Sequence, residues 1–326
     1  MKRAAFWGAA IAVLCVLLVA AVALGTVPLQ PSAVAAAVMG SGDTETLAIV
    51  RTLRLPRAVL ALLVGAALGI AGAALQGSLR NPLAEPYLLG VSGGAAVGAV
   101  TAVALGITAA GALPFFAFAG AAAAVLTALA VSRTLGGGRA DPRVLLMAGV
   151  IIGAFANAAI MVLLAGAPPN TVRGALWWMM GSLSGAGWVE VRWLALYTIL
   201  AGGALIWRAR EIDILALGEE PAAGLGIDAR RAGQRIYLVA SFLAAATVAA
   251  AGLVGFVGLV VPHIVRAAGI RRHRALLAGS AIAGAALVIL ADIIARVAHP
   301  PIELPLGAVT ALVGVPFFLV QLRRLV

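Results

Sequence analysis

Apolar runs bounded by charge, Pro or Gly recur along the chain at about the length of a membrane crossing. They fall at 4–25, 57–77, 88–110, 113–133, 144–166, 191–208, 234–256, 275–297 and 305–322, with a shorter stretch at 258–270. A helix needs roughly 20 residues to span a hydrocarbon core, so the pattern predicts an all-α polytopic membrane protein of about ten helices. The first run follows Met1-Lys2-Arg3 and exceeds the roughly 7–15 residues of a signal-peptide core, so we read it as a retained helix.

Two connecting segments are too polar for lipid and too short to fold apart, which leaves residues 1–326 as a single transmembrane domain. The first, 167–190, carries Pro168 and Pro169 with Trp177, Trp178 and Trp188 as interfacial anchors, and predicts a short outer helix over about 171–180. The second, 209–233, holds Glu211, Asp213, Glu219, Glu220 and Asp228. Asp213 is expected to cap a short helix ending at Gly218, and Pro221 to open a second that Gly224 or Gly226 closes, over about 213–228. Such a pair forms a knob; a solvated turn is the blander reading.

Interruptions in the apolar pattern carry more information. Pro82 and Pro86 stop the second helix after Gln76-Gly77-Ser78, and Gly90, Gly93 and Gly94 open the third. The stretch Gly255 to His263 is expected to break the late part of the chain in the same way. Non-helical backbone at membrane depth survives only where protein or a water-filled path covers it, so these breaks favour a conduit over a lipid anchor. Gly65, Gly69 and Gly72 recur at helix-face spacing and imply close backbone packing.

Composition narrows the class. Apolar residues make up 63% and charged residues 11% of the 326, against about a quarter charged in soluble domains; a water-soluble fold is excluded. Of 23 basic residues only Lys2 is a lysine, and the arginines are scattered between apolar runs. A nucleic-acid surface needs a contiguous basic face, whereas the scatter fits the positive-inside rule. An inside N-terminus gathers Lys2, Arg3, Arg80 and the arginines of 133–143, 208–235, 266–274 and 323–324 on one side, with the C-terminus also inside. Arg51, Arg54 and Arg57 break the rule at the outer end of the second helix, as if positive charge is wanted there. Lipid headgroups are one destination for it.

Missing chemistry excludes several activities. A P-loop requires GxxxxGK[ST], and the sole lysine is Lys2, so the chain is not expected to hydrolyse ATP or to form a Schiff base. Gly181-Ser182-Leu183-Ser184-Gly185 misses the nucleophile-elbow spacing. His263, His273 and His299 share no helix face, which argues against a metal site, and Cys15 has no partner for a disulfide within the chain. No catalytic residue, metal or cofactor is expected. An ion-coupled secondary transporter, the alternative reading, would use ionisable groups at the midplane. Asp292 alone among the acids lies well inside a span, and Arg296 four residues on can neutralise it.

The runs RLPRAVLALLVGAALGIAGAALQGSLRNPLAEPYLLGVSGGAAVG, WWMMGSLSGAGW, LALGEEPAAGLGI, GFVGLVVPHIVR and ADIIARVAHPPIELPLGAVTALVGVPFF strongly resemble the FecCD family of type II ABC importer permeases. That family takes up cobalamin, haem and ferric siderophores. The resemblance runs from about residue 50 to the C-terminus. It implies ten helices per chain in the inner membrane, a homodimer of permeases, two ABC ATPase subunits beneath, and a substrate-binding protein that delivers a metal chelate. Ferric siderophore or cobalamin is implied ahead of haem. Residue by residue, Arg54, Arg57 and Arg296 match arginines that dock the binding protein, and Asn81 and Leu83 match an inner gate. Ile214 to Ile227 match the ATPase-coupling helices, with Leu217, Gly218 and Glu219 at the tip.

Overall fold

The structure, a computed structural model, describes residues 2–25, 29–107, 109, 111–135 and 142–322. Arg139, Arg323 and Arg324 lie outside the described residues, as do the side chains of Lys2 and Arg3. In chain order the helices are α1 (Lys2–Ala23), α2 (Pro31–Met39), α3 (Thr44–Ser78), α4 (Val91–Ala104), α5 (Ala112–Leu135), α6 (Pro142–Ala165) and α7 (Pro169–Met179). After them come α8 (Trp188–Trp207), α9 (Ala209–Leu215), α10 (Glu219–Gly224), α11 (Ala229–Ala251), α12 (Val257–Ala267), α13 (His273–Val297) and α14 (Leu306–Leu322). Among the described residues seven helices are long and apolar enough to cross a membrane, and the shorter apolar helices Val91–Ala104, Val257–Ala267 and Leu306–Val320 bring the set to ten.

α3 is the axis of the fold, its C-terminal two-thirds almost entirely buried, packed against α13, α11 and α12. A second group, α4 with α5 and α6, joins this core through α11. The span expected at 57–77 is the buried part of a longer helix, and Asp43 explains the early start. Its carboxylate accepts from the Thr46 N–H at 2.7 Å and from the Thr46 hydroxyl at 2.6 Å, an N-cap. A π-helical turn, Ile49–Arg54, sits within α3 and ends three residues before Arg57. At Gly65, Gly69 and Gly72 a Cβ would overlap the carbonyl oxygens of Gly284, Ser280 and Gly258. Glycine there lets α13 and α12 lie directly on the α3 backbone.

Two expectations shift. The span expected at 88–110 resolves into a 3-10 turn at Pro86–Leu89 and the shorter α4. The break expected at Gly255 to His263 lies earlier: α11 stops at Ala251, Gly252 (φ 69) and Phe256 (φ 67) turn the chain through left-handed backbone, and α12 runs on through Pro262. Proline offers no N–H to the carbonyl four residues before it, here that of Gly258. Gln76 of α3 fills the gap, its Nε2 donating to the Gly258 oxygen at 3.2 Å and to the Leu259 oxygen at 3.1 Å. The helix therefore survives its proline because a neighbouring helix supplies the missing donor.

Candidate functional site

The N-terminal half of α3 presents its arginines to carbonyl and carboxylate groups. Arg51 donates from Nε and Nη2 to the Ala37 and Val38 carbonyls at 3.0 and 3.1 Å, at the end of α2. Arg54 donates from Nη1 to the carbonyls of Val22 and Ala23 at 3.0 and 2.8 Å. Arg296 of α13 donates from Nη1 and Nη2 to the Leu24 and Ala21 carbonyls, both at 3.1 Å. The last carbonyls of a helix have no partner of their own and carry its negative dipole end, so Arg54 and Arg296 together cap α1. Both are buried.

Arg57 is held differently. Its Nε donates to Asp292 at 2.9 Å, and its Nη1 and Nη2 make a bidentate pair with Glu303 at 2.7 and 2.8 Å. Arg296 completes the group through a 3.1 Å ion pair with the other oxygen of Asp292. The Asp292–Arg296 pair expected within one helix is thus half of a four-member cluster that spans three segments. Of the predicted docking residues, Arg57 and Arg296 meet on Asp292, and Arg54 joins them through the end of α1. Arg54, Arg57, Arg296 and Glu303 line one cleft together with Leu53 and Ser184.

Three interruptions of the helices meet at one junction. The Ser182 N–H donates to the Ala251 carbonyl at 2.9 Å, and the Leu306 and Gly307 N–H groups donate to Gly181 and Met180, both at 3.0 Å. A larger cleft beside this junction is lined by Trp177, Trp178, Ser182, Glu190, Glu303 and Pro305. The same junction is tied to the 79–90 segment: the Phe256 N–H donates to Glu85 at 2.7 Å and the Val254 N–H to the Tyr87 hydroxyl at 3.2 Å. The side chains of Glu85 and Tyr87 therefore tie the junction to the segment that follows the far end of α3.

That far end is looser. α3 closes with Arg80 in left-handed backbone (φ 52), where glycine is usual. Asn81 then makes a local turn, its side-chain oxygen accepting from the Leu83 N–H at 2.9 Å, and the Leu83 side chain is exposed. The α9–α10 pair projects nearby. Leu217 at its tip is exposed, Gly218 (φ 122) turns the chain, and Glu219 faces Arg80 at 3.8 Å and Arg230 at 4.0 Å. Leu217, Gly218 and Glu219 are thereby brought beside the segment that carries Asn81 and Leu83.

Two details of this pair depart from the sequence reading. Asp213 lies inside α9 and caps a different helix: its carboxylate accepts from the His273 N–H at 3.0 Å and contacts the His273 ring at 2.7 Å. α10 opens at Glu219, two residues before Pro221, because proline suits any position in a first turn. At the start of α11, Asp228 accepts from the N–H groups of Arg231 and Arg230, and the Arg231 bond, the stronger influence, holds its carboxyl below the ordinary value.

Sequence reasoning assigned no role to Glu303, Gln76 or Asp213 as it now stands. Glu303 had a signal, a lone acid among prolines next to a span. Gln76 had another, an amide near the end of an otherwise apolar helix. Asp213 had none, since its partner is 60 residues away. The histidines stay apart: His263 contacts the Leu259 carbonyl and His273 contacts Asp213. Among the described residues no three His, Cys, Asp or Glu side chains converge as metal ligands.

Comparison with known proteins gives concordant matches. The model of the FecCD transport family matches residues 13–324. The cobalamin import system permease protein BtuC of Halobacterium salinarum is 44% identical over 277 residues, 84% of this chain and 73% of that one. The Fe(3+)-citrate import system permease protein YfmE of Bacillus subtilis is 36% identical over 312 residues, 95% of this chain and 92% of that one. A solved inward-facing conformation of a metal-chelate type ABC transporter is 25% identical and superposes with a TM-score of 0.85 over 99% of both chains.

Proposed function

This chain belongs to the FecCD transport family, and we propose that it is the membrane-spanning permease of an ATP-driven importer of metal chelates. The match over residues 13–324 carries this reading. The chelate is of the cobalamin or ferric-siderophore kind, since relatives at 44% and 36% identity are named for import of cobalamin and ferric citrate. ATP is hydrolysed on separate ABC ATPase subunits, in keeping with a chain whose only lysine is Lys2. A substrate-binding protein delivers the cargo, and two copies of this chain flank the path.

Residue roles follow the same logic. Leu217, Gly218 and Glu219 form the knob that seats in the ATPase: an exposed leucine at a glycine turn offers an apolar side chain that a partner's pocket can desolvate. Arg80 and Glu219 pass its movement to Asn81 and Leu83, which gate the path where two copies meet. Rigid helix pairs can transmit such tilts because packed interfaces move as units. Of the three arginines expected to dock the binding protein, Arg57 receives an acidic side chain of that partner, while Arg54 and Arg296, engaged on the last carbonyls of α1, hold the end of that helix in place beside it. The knob and both termini face the cytoplasm of an inner membrane, as the arginine distribution favours.

The ion-coupled alternative has little to rest on, because Asp292 is already engaged by Arg57 and Arg296. The deciding experiment reconstitutes the chain with its ATPase and binding protein in liposomes and follows radiolabelled cyanocobalamin and ferric citrate. ATP-dependent uptake of either supports the proposal. Uptake that survives without ATP and collapses with the proton gradient overturns it.

A further inference from the structure

Arg57 cannot accept a new carboxylate as it stands. Nε is spent on Asp292, and Nη1 and Nη2 are both spent on Glu303. A guanidinium presents five N–H donors in a fixed fork, and here the two edges suited to bidentate pairing are taken. Any acidic group that docks on Arg57 must therefore displace one of its two partners.

The two partners differ in how easily they can leave. Asp292 sits inside α13, 2% exposed at the side chain, and is shared with Arg296. Glu303 is 34% exposed, has Arg57 as its ion-pair partner, and lies in the segment between α13 and α14. Expelling Asp292 would strand two buried cations, a large penalty. Expelling Glu303 returns one carboxylate to solvent and replaces it with another, so the local charge is unchanged.

Building on the docking role of Arg57 proposed above, we infer that Glu303 is an internal stand-in for the binding protein's acidic side chain, occupying Arg57 until the partner takes its place. The cleft that holds the pair is open to a visitor between Leu53, Ser184 and Glu303. The exchange has a structural consequence, because Glu303 is followed by Leu304 and Pro305, which line the larger cleft beside the helix junction. The Leu304 N–H is bonded to the Ala295 carbonyl at 2.8 Å and the next N–H groups, of Leu306 and Gly307, to Gly181 and Met180. Releasing Glu303 removes the ionic tether of this segment at the moment a partner arrives. Docking and loosening of the cleft wall become one event.

The test uses the assembled transporter in nanodiscs, with the substrate-binding protein that co-purifies with it as the probe. Glu303→Gln keeps the shape and removes the competing charge; it is expected to lower the dissociation constant of the binding protein about three- to tenfold, the scale of a partly exposed ion pair. Glu303→Asp retains the charge with a shorter reach and is expected to fall between, which also answers the question should the glutamine variant assemble poorly. Arg57→Gln is expected to abolish docking, with thermal unfolding measured in parallel to confirm an intact fold. Lost docking in Arg57→Gln with unchanged or weaker docking in both Glu303 variants overturns the inference and leaves the docking role standing. Undiminished docking in Arg57→Gln overturns both.

Discussion

At the Arg57 end of α3 two guanidinia and two carboxylates meet at 2.7 to 3.1 Å, and Asp292 at their centre is 2% exposed. At the Arg80 end the corresponding ion pairs are 3.8 and 4.0 Å long, and Arg80, Glu219 and Arg230 are each more than 40% exposed at the side chain, at 45%, 49% and 43%. The same residue types thus do opposite jobs. Paired around a buried centre, they fix α1, α3 and α13 to one another, because removing Asp292 would leave Arg57 and Arg296 short of a partner in low dielectric, while Glu303 at the rim can leave for solvent. Exposed and loosely paired, they add little to stability and leave the α9–α10 pair free to be moved. A transporter driven from one face needs this asymmetry: an anchored end to work against and a compliant end to receive the stroke.

The largest expected effect breaks the anchored end. Asp292→Ala strands Arg57 and Arg296 together and should cost about 3–5 kcal/mol, read as a large drop in the thermal midpoint of the purified protein. Gln76→Leu comes next. It removes the donors to the Gly258 and Leu259 carbonyls and the acceptor for Arg266, which donates to it at 2.6 Å, at about 1–3 kcal/mol; the same melt reads it. Leu217→Ser at the compliant end should change stability by no more than about 0.5 kcal/mol, yet reduce chelate moved per ATP hydrolysed in liposomes. If Leu217→Ser instead melts the protein as Asp292→Ala does, the contrast between the two ends is wrong. Smallest is the effect of acid at Asp228. The Arg231 N–H bond holds its carboxyl below the ordinary aspartate value, so its cap is fully present above the unfolded value and is lost as pH falls through the lower folded one. The first turn of α11 should then exchange its amides faster, with the rest of the helix unchanged.

Much of the fold was legible because lipid imposes a simple rule, that apolar runs of a set length are helices. Gly65, Gly69 and Gly72 announced the tight α3 face, and the three arginines at 51–57 announced that something at that end wanted positive charge. What they wanted was not visible: helix ends and a distant carboxylate, all supplied by other segments. The same limit misplaced the late break. Pro262 reads locally as a helix breaker, and only the position of Gln76, 182 residues earlier than Gly258 in sequence, explains why it is not. Asp213 failed likewise, since a cap and a cross-helix acceptor look identical until the partner is in place. Pattern reports what each segment needs, and tertiary structure reports who provides it.

In the proposed importer, one end of α3 is anchored and the other is offered to the ATPase. Hydrogen exchange on the chain alone and in complex with its ATPase separates the two ends, because exchange reports local opening. Amides at 54–61 and 289–296 should exchange slowly in both states, and those at 216–226 quickly in the free chain and slowly once the ATPase is bound. Equal exchange at the two ends of the free chain, or no protection of 216–226 on ATPase binding, would contradict that arrangement.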